Sequence, residues 1–278
     1  MSGYTLKPIA RIKSDFPTKF GIPRQAGIVS ELESLIVFET EYRNDEALRG
    51  IEDFSHLWLI WQFSENVRED WSPTVRPPRL GGNTRLGVFA TRSPFRPNAL
   101  GLSCVKLLGV EKREGLGTVL RVAGADLMDG TPIYDIKPYI PYADCHPEAS
   151  GGFAPDSGAR LTVEYAAGVQ EHIPEDKRAA LTGVLANDPR PRYQHDSSRV
   201  YALEFAGLEV KFTVDGDVLT VILAEKSVNA QDYKKSQATA HLMNELSKGR
   251  SSGEAKGWLS TEDIKAHFQT QEQEDFHK

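Results

Sequence analysis

Two runs decide how this chain folds: "LGLSCVKLLGV" (residues 100–110) and "GTVLRVAG" (residues 117–124). Each is a short, mainly apolar strand pattern, and a glycine-punctuated stretch separates them. The same pattern recurs upstream in "LKPIARI" (6–12), "SLIVFE" (34–39), "HLWLIWQF" (56–63) and "LGVFAT" (86–91). It continues downstream in "PIYDIKPYI" (132–140). Glycine, proline and asparagine mark the breaks. No helical pattern alternates with these strands, which argues against a doubly wound dinucleotide fold. The expected architecture is mainly β, with an N-terminal antiparallel β-barrel over residues 1–148.

Beyond "HPEASGGFAPDSGAR" (146–160), a linker by composition, the pattern changes. "PEDKRAALTGVLAN" (174–187) reads as a helix with proline at its first turn. "VYALEF", "LEVKFTV" and "VLTVILA" (200–205, 208–214, 218–224) read as strands, with "VDGD" as a hairpin turn. A small C-terminal α+β domain is therefore expected over residues 158–230. Residues 231–278 form a polar tail with a flexible "SKGRSSGEAKG" and one short capped helix pattern. No internal repeat is visible.

The chain has 278 residues and a net charge of −6, but the charge is uneven. Residues 1–140 hold 18 Lys+Arg against 17 Asp+Glu, and residues 141–278 hold 15 against 22. Residues 71–110 carry six cations and no carboxylate, so a local positive field survives on an acidic protein. No apolar run is long enough to span a bilayer, and no secretory leader is visible. The two cysteines lack metal-type spacing, and the histidines form no ligand cluster. A reduced, cytoplasmic setting without a metal is the expectation.

Chemistry concentrates in "GVFATRSPFRPNALGLS" (87–103). Pro94 and Pro97 hold their predecessors extended. Arg92 and Arg96 then face one way, about 13 Å apart at about 3.3 Å per residue. Gly87 and Gly101 flank them and would admit a ligand close to the backbone. Paired guanidinium forks suit carboxylate or phosphate. In "GADLMDGTPIYDIKPYIPYAD" (124–144), carboxylates and tyrosines cluster around a single cation, Lys137. "KFGIPRQAGI" (19–28) is a glycine- and proline-rich loop without phosphate-cradle spacing. "ANDPRPRYQHD" (186–196) places Arg190 and Arg192 beside an aromatic on a stiffened loop, a composition suited to unstacked bases. These features point to an anionic, nucleotide-like ligand. They leave open an enzyme, or an RNA-binding module without catalysis.

"KFGIPRQAG", "RGIEDFSHLWLIWQF", "RPPRLGGNTRLGVFATRSPFRPNALGLS", "DLMDGTPIYDIKPYIPYAD" and "DPRPRY" together resemble the TsaA/TrmO-type (YaeB-like) family of tRNA N6-threonylcarbamoyladenosine methyltransferases. The resemblance covers roughly residues 4–225. It implies a homodimeric, non-Rossmann β-barrel enzyme that uses S-adenosylmethionine. Its implied reaction methylates N6 of N6-threonylcarbamoyladenosine at position 37 of threonine tRNA, in the anticodon loop. It also implies cofactor contacts at Ala26, Gly27, Ile28, Ser64, Glu65, Arg92, Leu102, Gly124, Ala125, Asp126 and Leu127. Ser64-Glu65 stands where bacterial members carry His-Gln. Arg96, Lys137, Arg190 and Arg192 are left for RNA. Asp135 and Tyr142 are catalytic candidates by residue type. A methyltransferase of the same pocket acting on another base is the remaining alternative.

Overall fold

The computed structural model describes residues 5–67, 70–81, 83–155, 158–190 and 196–227. The expected tail and the side chain of Arg192 lie outside these residues. The chain is mainly β, and its strands fall into two principal sheets.

The first sheet contains β1 (Ala10–Lys13), β2 (Glu33–Phe38), β3 (His56–Gln62), β6 (Leu100–Arg113), β7 (Gly117–Ala123) and β8 (Pro132–Pro138). Their ladders run in the order β1-β2-β7-β6-β3-β8, and β8 pairs back onto β1, closing the sheet into a barrel. All six pairings are antiparallel. The opening runs are β6 and β7, joined as a hairpin with Arg113 opposite Gly117. Period-two alternation sets what points inward. In β3, Leu57, Leu59 and Trp61 are buried and their neighbours are only partly covered. They pack with Ala10, Ile12, Ile36, Val105, Leu120, Val122 and Ile133 as one apolar core. A bulge against β8 at Ile60/Trp61 bends β3 just before its end, where the site described below begins.

β4 (Thr74–Val75) and β5 (Leu86–Gly87) form a separate two-stranded ladder. The run expected as a strand over 86–91 is therefore mostly not one. After two paired residues it turns into a 3₁₀ segment at Val88–Ala90, because Val88 is drawn into the interior.

The second sheet has the order β10-β11-β12-β9, with β9 (Thr162–Tyr165), β10 (Tyr201–Phe205), β11 (Leu208–Asp215) and β12 (Val218–Lys226). β9 runs parallel to β12 and was not anticipated from sequence. The helix Glu175–Ala186 covers the sheet, burying Ala180, Leu181, Val184 and Leu185. Its first turn carries Glu175 and Asp176, where the helix dipole favours acids.

The stretch between β1 and β2 joins the two cores. Phe16, Val29 and Leu32 are buried in the core of the second sheet rather than in the barrel. The Phe16 and Phe205 rings meet edge-on at 5.4 Å. Lys177 Nζ donates to Asp15 Oδ2 at 2.7 Å, and Ala206 N–H donates to the Asp15 carbonyl at 2.8 Å. The loop that carries "IPRQAG" is thereby held from behind by the second sheet while its tip faces the barrel end. Both sheets belong to one compact unit that ends at Ser227.

Candidate functional site

A cavity of about 700 Å³ opens at the end of β3. One wall is the loop through Pro23, Arg24 and Gln25. A second continues β3 through Trp61, Gln62 and Phe63 into a 3₁₀ turn, Ser64–Asn66. The third is the loop bearing Phe89, Arg92, Arg96 and Asn98, running on into Leu102 of β6. Asp126, Met128 and Thr131 close the remaining side. The volume is that of a pocket for one cofactor-sized molecule.

Asp126 is the chemical centre of this lining. Trp61 Nε1–H donates to Ser103 Oγ at 2.9 Å, and the Ser103 hydroxyl donates to Asp126 Oδ1 at 2.6 Å. A buried indole N–H needs an acceptor, and Ser103 supplies it from an inward position of β6. Ser103 has one hydroxyl proton, which is committed to the carboxylate. Burial pushes the Asp126 carboxyl above its ordinary 3.8, while Ser103, its own and the Ala26 backbone N–H, and the charge of Arg92 pull the other way. The outcome is a fixed carboxylate more basic than a surface aspartate.

Arg92 donates to Gln25 Oε1, which ties the arginine loop to the "PRQ" loop across the cavity. Arg96 Nη1 donates to the Thr91 carbonyl at 3.1 Å and folds back on its own loop. The extended, same-sided geometry expected for these arginines is not what forms. Residues 91–99 bend repeatedly, with Arg96 N–H bonded to the Pro94 carbonyl at 3.0 Å. Both arginines nevertheless reach the cavity.

The backbone under the site is glycine-dependent at one close crossing. Gly27 N–H donates to the Gly124 carbonyl at 2.8 Å. A Cβ on Gly124, whose φ is +77°, would lie 3.1 Å from Gly27 Cα. Gly101 serves a different purpose from the one expected. A Cβ there would lie 2.3 Å from Trp61 Cε2, so its missing side chain makes room for the indole rather than for a ligand. Gly101→Ala should therefore cost about 1–3 kcal/mol by overpacking. It should also dislodge Trp61 from Ser103, lowering the melting temperature and the activity together.

Among the expected cofactor residues, Ser64, Glu65, Arg92, Leu102 and Asp126 line the cavity. Ala26, Gly27, Ile28 and Gly124 lie on the two backbone segments that cross beside it. Ala125 and Leu127 have buried side chains in the barrel core, leaving only their backbone for a ligand. The structure does not bring Asp135 or Tyr142 to the cavity. Asp135 accepts from the Ile136 N–H and pairs with Lys137 at 3.3 Å, so Lys137 is also engaged away from the cavity. Tyr142 is 91% exposed on the short helix Pro141–Asp144. Arg190 is buried and pairs with Asp188 through Nε (2.8 Å) and Nη2 (3.1 Å). Its carbonyl accepts from Arg24 Nη2 at 3.2 Å, which puts this segment behind the cavity loop.

Sequence reasoning did not single out Trp61, Ser103, Gln25 or Phe89. The inward serine opposite β3 was the one readable signal among them, as a polar residue on a buried face. Among the described residues no group of three or more His, Cys, Asp or Glu is placed to hold a metal ion. No helix among them is long and apolar enough to cross a membrane.

The family model described as the tRNA-methyltransferase O N-terminal domain matches residues 11–145. That of the TrmO C-terminal domain matches residues 159–227. The chain is 40% identical over 223 residues to a tRNA (adenine(37)-N6)-methyltransferase of Escherichia coli, covering 77% of this chain and 94% of that protein. It is 38% identical over 215 residues to a putative S-adenosylmethionine-dependent methyltransferase, RcsF, of Pseudomonas aeruginosa, covering 74% and 91%. A crystal structure of TrmO from P. aeruginosa superimposes with a TM-score of 0.68 at 31% identity, covering 82% of this chain and 99% of that one.

Proposed function

The chain belongs to the tRNA-methyltransferase O family, and from that premise we propose that its cavity holds S-adenosylmethionine beside N6-threonylcarbamoyladenosine 37 of a threonine tRNA. The protein is an S-adenosylmethionine-dependent methyltransferase acting on N6 of adenine 37 in tRNA. The observation that carries the site assignment is the Trp61–Ser103–Asp126 chain of hydrogen bonds ending in a basic carboxylate on the wall of a cofactor-sized cavity.

The lining fits the cofactor's chemistry. Arg92 offers a guanidinium to a carboxylate. Glu65 offers a carboxylate to ammonium or ribose, and Leu102 and Phe63 offer apolar surface to adenine. The crossing of residues 26–28 with 124–127 supplies backbone donors and acceptors. When bound, the cofactor provides a methyl group made electrophilic by its sulfonium.

The acceptor nitrogen is bonded to a carbonyl and attacks poorly while it keeps its proton. Transfer breaks one S–C bond and forms one N–C bond, and the N6 proton must leave. Asp126 takes that proton on its carboxylate, a task suited to a half-buried acid whose pKa is raised and which faces the cavity. Ser103 and Trp61 position it. Most of the remaining acceleration comes from in-line placement of the two reactants. Arg96 lines the cavity and offers its guanidinium to the substrate's threonyl carboxylate or to a flanking phosphate. In this reading residues 1–148 hold the cofactor and residues 158–230 contribute tRNA contact. A cytoplasmic homodimer belongs to the same reading and rests on the family resemblance. The test is transfer of an isotopically labelled methyl group to the tRNA nucleoside.

A further inference from the structure

We propose that Trp71 and Phe89 form a stacking platform, at the mouth of the cavity, for an unpaired base of the RNA next to the one that is methylated. This inference rests on the reading of the cavity given above.

Two large aromatic rings stand in water here. Trp71 is 51% exposed and Phe89 73% exposed, yet their centroids lie 6.2 Å apart with the planes inclined by 30°. Isolated exposed aromatics are common, but an exposed pair in mutual register is a prepared surface. The register comes from the backbone. The rings flank the base of the β4–β5 ladder, and Val88 N–H donates to the Pro73 carbonyl at 2.9 Å, continuing the pairing past Gly87. Val88 is buried, which pins the turn and commits the next side chain, Phe89, outward. Phe89 also lines the cavity, so the platform is continuous with the site.

The surrounding charge selects the occupant. Residues 71–110 contain Arg76, Arg79, Arg85, Arg92, Arg96 and Lys106 and no carboxylate. Arg85 donates to Thr74 Oγ1 at 3.3 Å, which holds its charge across the ladder that bears the two rings. Asp70 precedes Trp71 and Glu65 lines the cavity, but the stretch that carries both rings is otherwise cationic, and aromatic faces among cations fit a polymer of π-faces joined by phosphates, because stacking accepts any base while the cations meet the backbone. Seating a neighbouring base on the rings would splay the loop and present the target adenosine to the cavity without melting any duplex.

The test compares the full-length wild type with Trp71→Ala, Phe89→Ala and Trp71→Phe. Affinity for an anticodon stem-loop RNA carrying the threonylcarbamoyl adenosine is read by fluorescence anisotropy over a salt series. S-adenosylmethionine affinity is read by calorimetry, and particle mass by sedimentation velocity. Each alanine variant should weaken RNA binding about tenfold. Trp71→Phe should restore most of it, and the salt slope should stay the same because no phosphate contact is lost. RNA affinity within about twofold of wild type in both alanine variants would overturn the platform while leaving the methyltransferase reading intact. A fall in cofactor affinity matching the fall in RNA affinity would assign Phe89 to the cofactor pocket and overturn it too. A changed particle mass would make the pair a contact between copies of the chain, with the same consequence. Failure of the wild type to bind S-adenosylmethionine at all would instead sink the functional reading on which the platform rests.

Discussion

Asp126→Asn should lower the rate of methyl transfer by about 10²–10⁴-fold, the range lost when a positioned general base is removed. The amide keeps the size of the carboxylate and can still accept from Ser103, so the cavity wall survives. What disappears is the site for the N6 proton. The pH profile separates this loss from a structural one. Asp126 must be ionised to accept a proton, and burial raises its pKa above the ordinary 3.8. Wild-type activity should therefore climb as pH rises through that raised value and level off above it. The acid limb should be absent from the residual activity of the variant. Stability has the opposite sign. An acid whose pKa the fold raises favours the folded state most when protonated, and that contribution falls as pH rises from the unfolded value through the folded one. At neutral pH the neutral asparagine removes a burial cost, so the variant should melt no earlier than the wild type. An inactive variant with an unchanged or higher melting temperature is the expected pair of results. An active variant would remove Asp126 from the chemistry.

Arg92→Ala should weaken S-adenosylmethionine binding by about 1.5–3 kcal/mol, the loss expected for one hydrogen bond to a charged group. That is roughly a ten- to 150-fold rise in Kd by calorimetry. The effect has two parts. The guanidinium no longer meets the cofactor, and Gln25 loses its donor across the cavity, so the "PRQ" loop is less well placed. Arg92→Lys should recover little, because an ammonium cannot reproduce a planar fork between two partners. Arg92 is exposed, and its removal should leave the melting temperature nearly unchanged. Binding as tight as wild type would show that the cofactor lies elsewhere in the cavity.

Much of this fold is visible in the strand patterns. Runs such as "HLWLIWQF" are short, apolar and rich in aromatic and branched residues, and the structure pairs this one as β3 with both β6 and β8. Hairpins are legible because both strands and their turn are local, as in β11 and β12. β9 is not, since "TVEY" is only four residues long and its parallel partner lies more than fifty residues away. The passage of residues 14–32 across the second sheet is equally hidden. Phe16, Val29 and Leu32 bury themselves there without any shared period. The segment that holds Arg92 and Arg96 is recognisable from its composition. Its geometry is not, because the prolines produce a sequence of bends that backbone hydrogen bonds close. Asp126 stands in a conspicuous acidic stretch, but its basicity depends on how deeply the fold withdraws it from water. Arg190 shows the reverse error: a residue typical of RNA contact spends its charge on Asp188 and is buried.

In the proposed reaction this chain moves a methyl group from S-adenosylmethionine to N6 of threonylcarbamoyladenosine 37. Purified protein incubated with deuteromethyl-labelled cofactor and threonine tRNA bearing that nucleoside, followed by nucleoside mass spectrometry, tests it directly. A labelled N6-methyl derivative of the nucleoside is the expected product, abolished or greatly reduced by Asp126→Asn. Unlabelled threonylcarbamoyladenosine, recovered in full from a protein that binds both cofactor and tRNA, would contradict it.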